Sequence, residues 1–160
     1  VGIVAWCPRK RQFYVGERDV PLELLQLAFG ERETYIGQAE LLAAASFYWT
    51  LPDVVRDSYP IHFIDNQGAL GILTRGASHH RPMGLMSHDI AARQQSLKSR
   101  VWYEYVPSKA NIADLPSRRD SRLAARMIRA RYGARVQSCT IVFPHLRVAD
   151  ELGMGVVRPT

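Results

Sequence analysis

Residues 61–70 constrain the fold most, because strand-forming apolar residues there run directly into an acidic one. The stretch reads Ile-His-Phe-Ile-Asp-Asn-Gln-Gly-Ala-Leu. It predicts a buried strand over 60–65 that carries Asp65 at its carboxyl end and then turns into a helix. Active sites gather at such strand ends in α/β sheets. Asp65 is therefore either a site residue or simply the N-cap of the helix that begins at Asn66.

The rest of the pattern predicts one α/β domain. Residues 1–7 and 11–16 read as a β-hairpin with a turn at 8–10. The later elements are helices over 21–29 and from 34 or 35 to about 49, a strand over 60–65 with a short helix to about 74, a helix over about 83–97, a strand over 101–106, a helix over about 120–132 and a strand-like run at 140–143. This order predicts a mixed β-sheet flanked by helices, antiparallel at its start and parallel after the crossovers.

The composition favours an anionic partner. The 160 residues carry a formal charge of +6 and the sequence pI is about 9.7. This charge points to nucleic acid first and to an acidic membrane surface second, and charged residues or proline interrupt every apolar run before it could span a membrane. Cys7 and Cys139 lie far apart, so we expect neither a zinc site nor a disulfide framework, and an intracellular protein with reduced thiols.

Three carboxylates occupy suggestive positions. Glu40 lies in the first long helix, Asp65 at the end of a strand and Asp114 just after a later strand. If both strands lie in one sheet under that helix, the carboxylates converge at one end of the sheet. Hard oxygen ligands of this kind suit Mg²⁺ or Mn²⁺, and two such ions form the clamp used in phosphodiester hydrolysis. The alternative for Glu40 is a solvated side chain at the edge of an apolar helix face.

Three segments around these carboxylates resemble a known family. Residues 38–44 read QAELLAA, residues 63–67 read FIDNQ and residues 111–118 read NIADLPSR. In this order they are similar to the ribonuclease H domain of retroelement reverse transcriptases, those of retrotransposons in particular. The resemblance covers roughly residues 1–120, and the last segment, with the Pro-Ser-Lys-Ala that precedes it, is the most telling. It implies a ribonuclease H-like fold.

The resemblance also implies a function. Glu40, Asp65 and Asp114 would be catalytic residues that bind Mg²⁺ or Mn²⁺, and Asn66, Gln67 and Arg118 would contact the substrate. The implied reaction is endonucleolytic hydrolysis of the RNA strand of an RNA–DNA hybrid, beside a reverse transcriptase module or in a larger assembly. The 2′-hydroxyl would distinguish the RNA strand from DNA.

One departure from the family bears on activity. Its first catalytic aspartate lies on the strand before the one that opens this chain, and Glu17 and Asp19 lie in the wrong place to replace it. We therefore expect residues 1–132 to be a ribonuclease H-like domain that lacks its first strand, and 133–160 to be an extension of unknown role. An upstream aspartate would complete the nuclease. The alternative is a catalytically inactive ribonuclease H-like subunit with a binding or scaffold role.

Other side chains leave two interpretations open. His79, His80 and His88 are either solvated or include a histidine that assists proton transfer. Arginines at helical spacing either follow a phosphate backbone or form a solvated face: Arg118, Arg122, Arg126 and Arg129. Aromatic residues of the later strand either stack on bases or pack in the core: Trp102, Tyr103 and Tyr105.

Overall fold

The structure, a computed structural model, describes residues 1–30 and 35–144. Position 34, where the sequence allows a helix to begin, and positions 145–160 of the extension lie outside them. Within this range the elements are β1 (Gly2–Cys7), β2 (Gln12–Glu17), α1 (Leu22–Phe29), α2 (Ile36–Thr50), α3 (Pro52–Val55), β3 (Ile61–Ile64), α4 (Gln67–Arg75), α5 (Arg81–Ser96), β4 (Trp102–Tyr105), α6 (Asp114–Ser117), α7 (Ser121–Tyr132) and β5 (Arg135–Ser138). The predicted mixed α/β class is confirmed.

The strands form two small sheets rather than one. β1 pairs antiparallel with β2, and β5 pairs parallel with β2 on its other side. β3 and β4 form a separate parallel pair. The antiparallel start and the later parallel pair agree with the predicted order of directions. The expected single sheet does not form within the described residues, because β1 and β3 border a groove instead of pairing with each other.

Helix α2 forms the centre of the core. Leu41, Leu42, Ala45 and Tyr48 are fully buried on it, and it packs against α4, α5 and β1. Burial of these side chains removes apolar surface from water, which supplies the main stabilisation of the fold. Because α2 contacts both β1 and the rings beside β3, it connects the two sheets. None of the helices in residues 1–30 and 35–144 is long and apolar enough to cross a membrane.

The prediction of a strand at 140–143 is wrong. The strand in this part of the chain is β5, which lies a few residues earlier. Ile141 and Phe143 are buried, which explains their apolar character, but they lie in an irregular segment. Arg18 Nη1 donates to the Ile141 carbonyl at 2.9 Å, and this contact helps to hold the segment against the domain. β5 itself is short and mostly exposed, so its sequence Arg-Val-Gln-Ser carries little strand signal. The first residues of the expected extension thus pair with β2.

The central position of α2 leads to a stability prediction. Leu41→Ala leaves a cavity at a side chain with no exposed surface, so we expect the free energy of unfolding to fall by about 2–5 kcal/mol. Ile36→Ala on the same helix is the control, because Ile36 is 66% exposed and its truncation should change stability by about 0.5 kcal/mol or less. Urea denaturation followed by circular dichroism measures both. Equal effects of the two substitutions would contradict the central role of α2.

Candidate active site

Asp65 lies directly after β3 and does not cap the following helix. Asn66 is the N-cap of α4, where its Oδ1 accepts a hydrogen bond from the Ala69 amide at 2.9 Å. The Asp65 carboxylate accepts instead from Asn111, whose Nδ2 lies 3.0 Å from Asp65 Oδ2. Asn66 therefore takes the capping role that the sequence allowed for Asp65. The Asp65 carboxylate points toward the loop before α6.

Glu40 and Asp65 form a close carboxylate pair. Glu40 is half-buried on α2, and its carboxyl group is hydrogen-bonded to Asp65. Burial, together with the charge of Asp65, raises the pKa of Glu40 to about 7, although the nearby amino terminus of Val1 opposes this shift. Near neutral pH the pair therefore shares a proton for a substantial fraction of the time, because two carboxylates this close do not readily ionise together.

Asp114 lies near this pair but has its own partner. Its charge contributes to the raised pKa of Glu40. Its Oδ2 forms an ion pair with Arg118 Nε at 2.9 Å, and both side chains are substantially exposed. The structure thus brings Glu40 and Asp65 into contact and leaves Asp114 close by, turned toward Arg118. Gln67 is exposed in the first turn of α4.

Helix α6 reaches this position because β1 begins with glycine. A Cβ added at Gly2 would collide with backbone atoms of Ala113, Pro116 and Ser117. Only glycine allows this close approach of strand and helix. The contact fixes the start of β1 against the helix that carries Asp114.

Sequence reasoning gave no role to two residues that organise the site. Asn111 orients Asp65 and also accepts a hydrogen bond from the Ala113 amide at 3.0 Å, which shapes the turn into α6. The feature of the sequence that could have identified Asn111 is its position at the start of the segment NIADLPSR. Gly2 gave no signal, since a glycine beside a strand start has no distinctive pattern and its role depends on a helix more than 100 positions later in the chain.

A groove of about 920 Å³ extends from the carboxylate pair between the two sheets. β1 forms one wall and β3 the other, and α2 contributes Ala43, Ala44 and Phe47. Glu40 and Asp65 lie among its lining residues, whereas His79, His80 and His88 do not. The three histidines therefore have no described contact with the groove that ends at the carboxylates.

The donor atoms at Glu40 and Asp65 fit a magnesium ion. Mg²⁺ is commonly bound through one or two carboxylates, with water and substrate phosphate completing its octahedron. A cation would also replace the proton that the pair now shares. Among residues 1–30 and 35–144, no group of three or more His, Cys, Asp or Glu side chains lies close enough to hold a metal. Glu40 and Asp65 could supply two carboxylate ligands, and a third from Asp114 would require this side chain to leave Arg118.

The basic face of α7 is exposed. Arg122, Arg126 and Arg129 point to solvent, while Ala124 and Ile128 pack against β2 and β5. Met127 on the same helix is also 49% exposed.

The aromatic residues of β4 divide between surface and interior. Trp102 and Tyr105 are exposed. Tyr103 turns inward, where its hydroxyl contacts Tyr48 and its ring packs beside His62. Burial lowers the pKa of His62 to about 4, so this ring is neutral at pH 7. Tyr103 thus belongs to a buried polar cluster, and the two exposed rings are the ones available to a ligand.

The chain matches no protein-family model, no curated protein and no solved structure.

The raised pKa of Glu40 predicts how stability depends on pH without divalent metal. The folded state holds this proton up to about pH 7, whereas the unfolded chain loses it near 4.5. Ionisation of Glu40 therefore lowers the free energy of unfolding as pH rises through this window. Glu40→Gln should remove that loss, so the variant gains stability relative to wild type between about pH 4.5 and 7.

Urea denaturation in EDTA at several pH values measures this difference. The comparison with wild type removes the contribution of His62, whose lowered pKa adds a slope of opposite sign to both proteins. The amino terminus, whose pKa burial lowers from 8.0, also acts with the opposite sign, at higher pH. Glu23→Gln on α1 is the matched control, since Glu23 is exposed. A constant stability difference across the pH range would contradict the assigned environment of Glu40.

Proposed function

We propose that this chain carries a metal-dependent nuclease site of the ribonuclease H type, which hydrolyses the RNA strand of RNA–DNA hybrids as part of a retroelement-type reverse transcriptase. The observation that carries the proposal is the Glu40–Asp65 pair at the carboxyl end of β3, with a shared hydrogen bond and a pKa for Glu40 of about 7. A pair of this kind favours a divalent cation as its neutralising partner. The net charge of +6 suits a polyanionic substrate.

The residues around the pair would have distinct roles. Glu40 and Asp65 would hold Mg²⁺ or Mn²⁺, and Asn111 would keep the Asp65 carboxylate in place through its 3.0 Å hydrogen bond. The bound metal would activate water and stabilise the leaving oxygen. On cation binding Glu40 would release its proton. Asp114 would join as a ligand when Arg118 exchanges its carboxylate partner for a substrate phosphate, since an arginine fork suits either anion.

The substrate would lie across the carboxyl end of β3 and along α7. Gln67 is exposed there. The side-chain nitrogen Nδ2 of Asn66 can donate a hydrogen bond to the substrate while Oδ1 of the same side chain caps α4. The arginine face of α7 would follow the phosphate backbone. Discrimination of RNA from DNA would depend on contacts with the 2′-hydroxyl.

A second function, that of a catalytically inactive binding or scaffold subunit, has a specific observation in its favour. Asp114 is ion-paired with Arg118, and the described residues contain no group of three potential metal ligands close together. With two carboxylates in contact rather than three or four, such a chain would bind nucleic acid or protein without cleaving it. Cleavage in the presence of Mg²⁺ distinguishes the two functions.

The nuclease proposal predicts that Asp65→Asn abolishes cleavage and preserves the fold. The substitution removes the negative charge that would bind the metal. The side-chain oxygen of the new asparagine can still accept the hydrogen bond from Asn111. The rate should fall by about 100-fold or more, because metal stabilisation of the reaction amounts to several kcal/mol. A hybrid with labelled RNA, incubated with Mg²⁺ and then analysed by gel electrophoresis, gives the rate.

Asp53→Asn is the control, because Asp53 is an exposed acidic residue in the first turn of α3 and does not line the groove. Circular dichroism establishes that both variants fold. Retained cleavage in Asp65→Asn would refute the assigned site. Absence of cleavage in the wild-type chain, together with hybrid binding, would favour the scaffold function.

The arginine face of α7 predicts salt-dependent binding of the hybrid. Replacement of Arg122, Arg126 and Arg129 by alanine should weaken binding on the order of tenfold near 0.1 M salt. The slope of log affinity against log salt should become shallower by about one for each lost phosphate contact. The control carries the same loss of charge elsewhere: Arg56, Arg75 and Arg100, all exposed, are replaced by alanine. Fluorescence anisotropy across salt concentrations measures both proteins, and equal slopes would contradict the interface.

A further inference from the structure

Three aromatic rings lie side by side on the face of the first sheet against which α7 packs. Trp6 on β1 is directly opposite Phe13 on β2, and the centroids of their rings are 4.7 Å apart. Tyr132, the last residue of α7, stacks on Phe13 with 5.5 Å between centroids and 28° between ring planes. Phe13 thus holds a ring on β1 and a ring on α7 in fixed positions. We call Trp6, Phe13 and Tyr132 the aromatic row.

Packing of the core does not account for the two outer rings of this row. Phe13 packs against the small cluster that Ala124 and Ile128 form under α7. Trp6 and Tyr132, in contrast, are 45% and 63% exposed. Rings with this much surface in water gain only part of the free energy that burial would supply. Flat rings that are held in place and remain accessible are the arrangement on which nucleobases stack.

The two segments that supply the aromatic row are basic and contain no acidic residue. Residues 6–13 read WCPRKRQF and residues 121–138 read SRLAARMIRARYGARVQS, with three and five basic residues. The parallel pairing of β2 with β5 brings the segments together, because Gln12 lies opposite Arg135. Arg135 Nη2 also donates to the Lys10 carbonyl at 3.1 Å. Positive charge from both segments therefore collects at this end of the sheet.

Four of these basic residues are suited to contact a ligand on the aromatic row. Arg9 is not among them, since its guanidinium donates to the carbonyls of Val54 and Arg56. The four are exposed and lie in the turn after β1, in the last turn of α7 or at the start of β5: Lys10, Arg11, Arg131 and Arg135. Accessible rings beside exposed cations favour a ligand that combines negative charge with flat apolar rings.

This place is separate from the carboxylate pair. β1 begins at Gly2, which contacts α6 beside Asp114. Trp6 is four residues farther along the strand, which corresponds to about 13 Å. The arginines assigned above to the hybrid interface are others on α7. A ligand on the aromatic row therefore needs no contact with Glu40 or Asp65.

We propose that the aromatic row and its four cations form a binding site for single-stranded nucleic acid, with bases stacked on Trp6 and Tyr132 and phosphates beside the cations. A duplex is a poorer match, because its bases are stacked on one another and unavailable to the rings. An acidic membrane is also a poorer match, because the exposed turn that follows β1 is basic and offers no apolar tip for insertion. The site goes beyond the proposed nuclease function and requires neither metal nor cleavage.

The test measures binding of a fluorescein-labelled oligothymidylate of about twelve nucleotides to the full chain in EDTA, by fluorescence anisotropy. Replacement of Trp6 and Tyr132 together by alanine should weaken binding by about tenfold or more, because each stacked base contributes to affinity. Tyr59→Ala is the control, since Tyr59 is a 77% exposed ring elsewhere on the surface. Circular dichroism establishes that the variants fold. Unchanged binding in the double variant would overturn the proposal.

A second ligand distinguishes stacking from attraction to phosphate alone. An abasic oligomer of the same length keeps every phosphate and has no bases. It should bind the wild-type chain about tenfold more weakly or less than the oligothymidylate does, and the loss of Trp6 and Tyr132 should not weaken it further. Equal binding of the two oligomers to the wild-type chain would overturn base stacking even if the double variant did not fold.

The cations predict a change in salt dependence. With Lys10, Arg11 and Arg131 replaced by glutamine, the slope of log affinity against log salt should become shallower by about 0.7 for each lost phosphate contact. The control carries the same loss of charge elsewhere on the surface, at Arg56, Arg75 and Arg100. Equal slopes of the two triple variants would contradict the assigned cations.

Two further ligands separate this site from the alternatives. The alanine variant at Trp6 and Tyr132 should bind an RNA–DNA hybrid within about twofold of wild type, because a duplex offers no unstacked bases; equal losses for hybrid and oligothymidylate would overturn a separate single-strand site. Vesicles rich in phosphatidylserine that bind through the same two rings, without oligothymidylate binding, would assign the surface to a membrane and overturn the proposal. Ring-dependent binding of oligothymidylate by a chain that cleaves no hybrid would leave this site standing and refute the nuclease.

Discussion

The rest of the structure depends on the burial of α2. The two sheets share no strand within residues 1–30 and 35–144, so their relative position is set by the helix that packs against both. Leu41 and Leu42 have no exposed surface, and Phe47 packs against the His62 ring of β3 at 5.1 Å between centroids. Glu40 immediately precedes this buried pair on α2, so the core contacts also fix how closely its carboxyl group approaches Asp65.

The site itself is a balance between packing and electrostatics. Burial and the adjacent Asp65 make the charged form of Glu40 unfavourable and raise its pKa to about 7, which apolar packing of α2 must offset. Protonation relieves the repulsion at low pH, and a cation could relieve it at higher pH. The nearby Asp114 is neutralised instead by Arg118, in an exposed ion pair that stabilises only weakly.

The sequence predicted the parts of the fold that local pattern determines. Asp65 at the end of β3 and the helix bounds of α2 and α7 follow from runs of apolar residues and from Pro or Gly at their ends. β5 was not predicted, because the sequence Arg-Val-Gln-Ser at an exposed edge has no strand periodicity. The buried Ile141 and Phe143 alternate with other residues as in a strand, although their segment is irregular. The contact of Gly2 with α6 and the hydrogen bond from Asn111 to Asp65 join distant segments. Such contacts depend on tertiary packing, which no local pattern contains.

The Glu40–Asp65 pair lies at the groove between β1 and β3. The resemblance to ribonuclease H implies a strand with an aspartate before the strand that opens this chain. Since β2 occupies one edge of β1, any strand joined to Val1 by a tight hairpin would pair with the other edge and so enter the groove beside β3. Its end next to Val1 would lie near Glu40, whose charge acts on the Val1 amino group. Under the proposed function, an aspartate on such a strand would add a carboxylate to Glu40 and Asp65, whereas the scaffold alternative needs none.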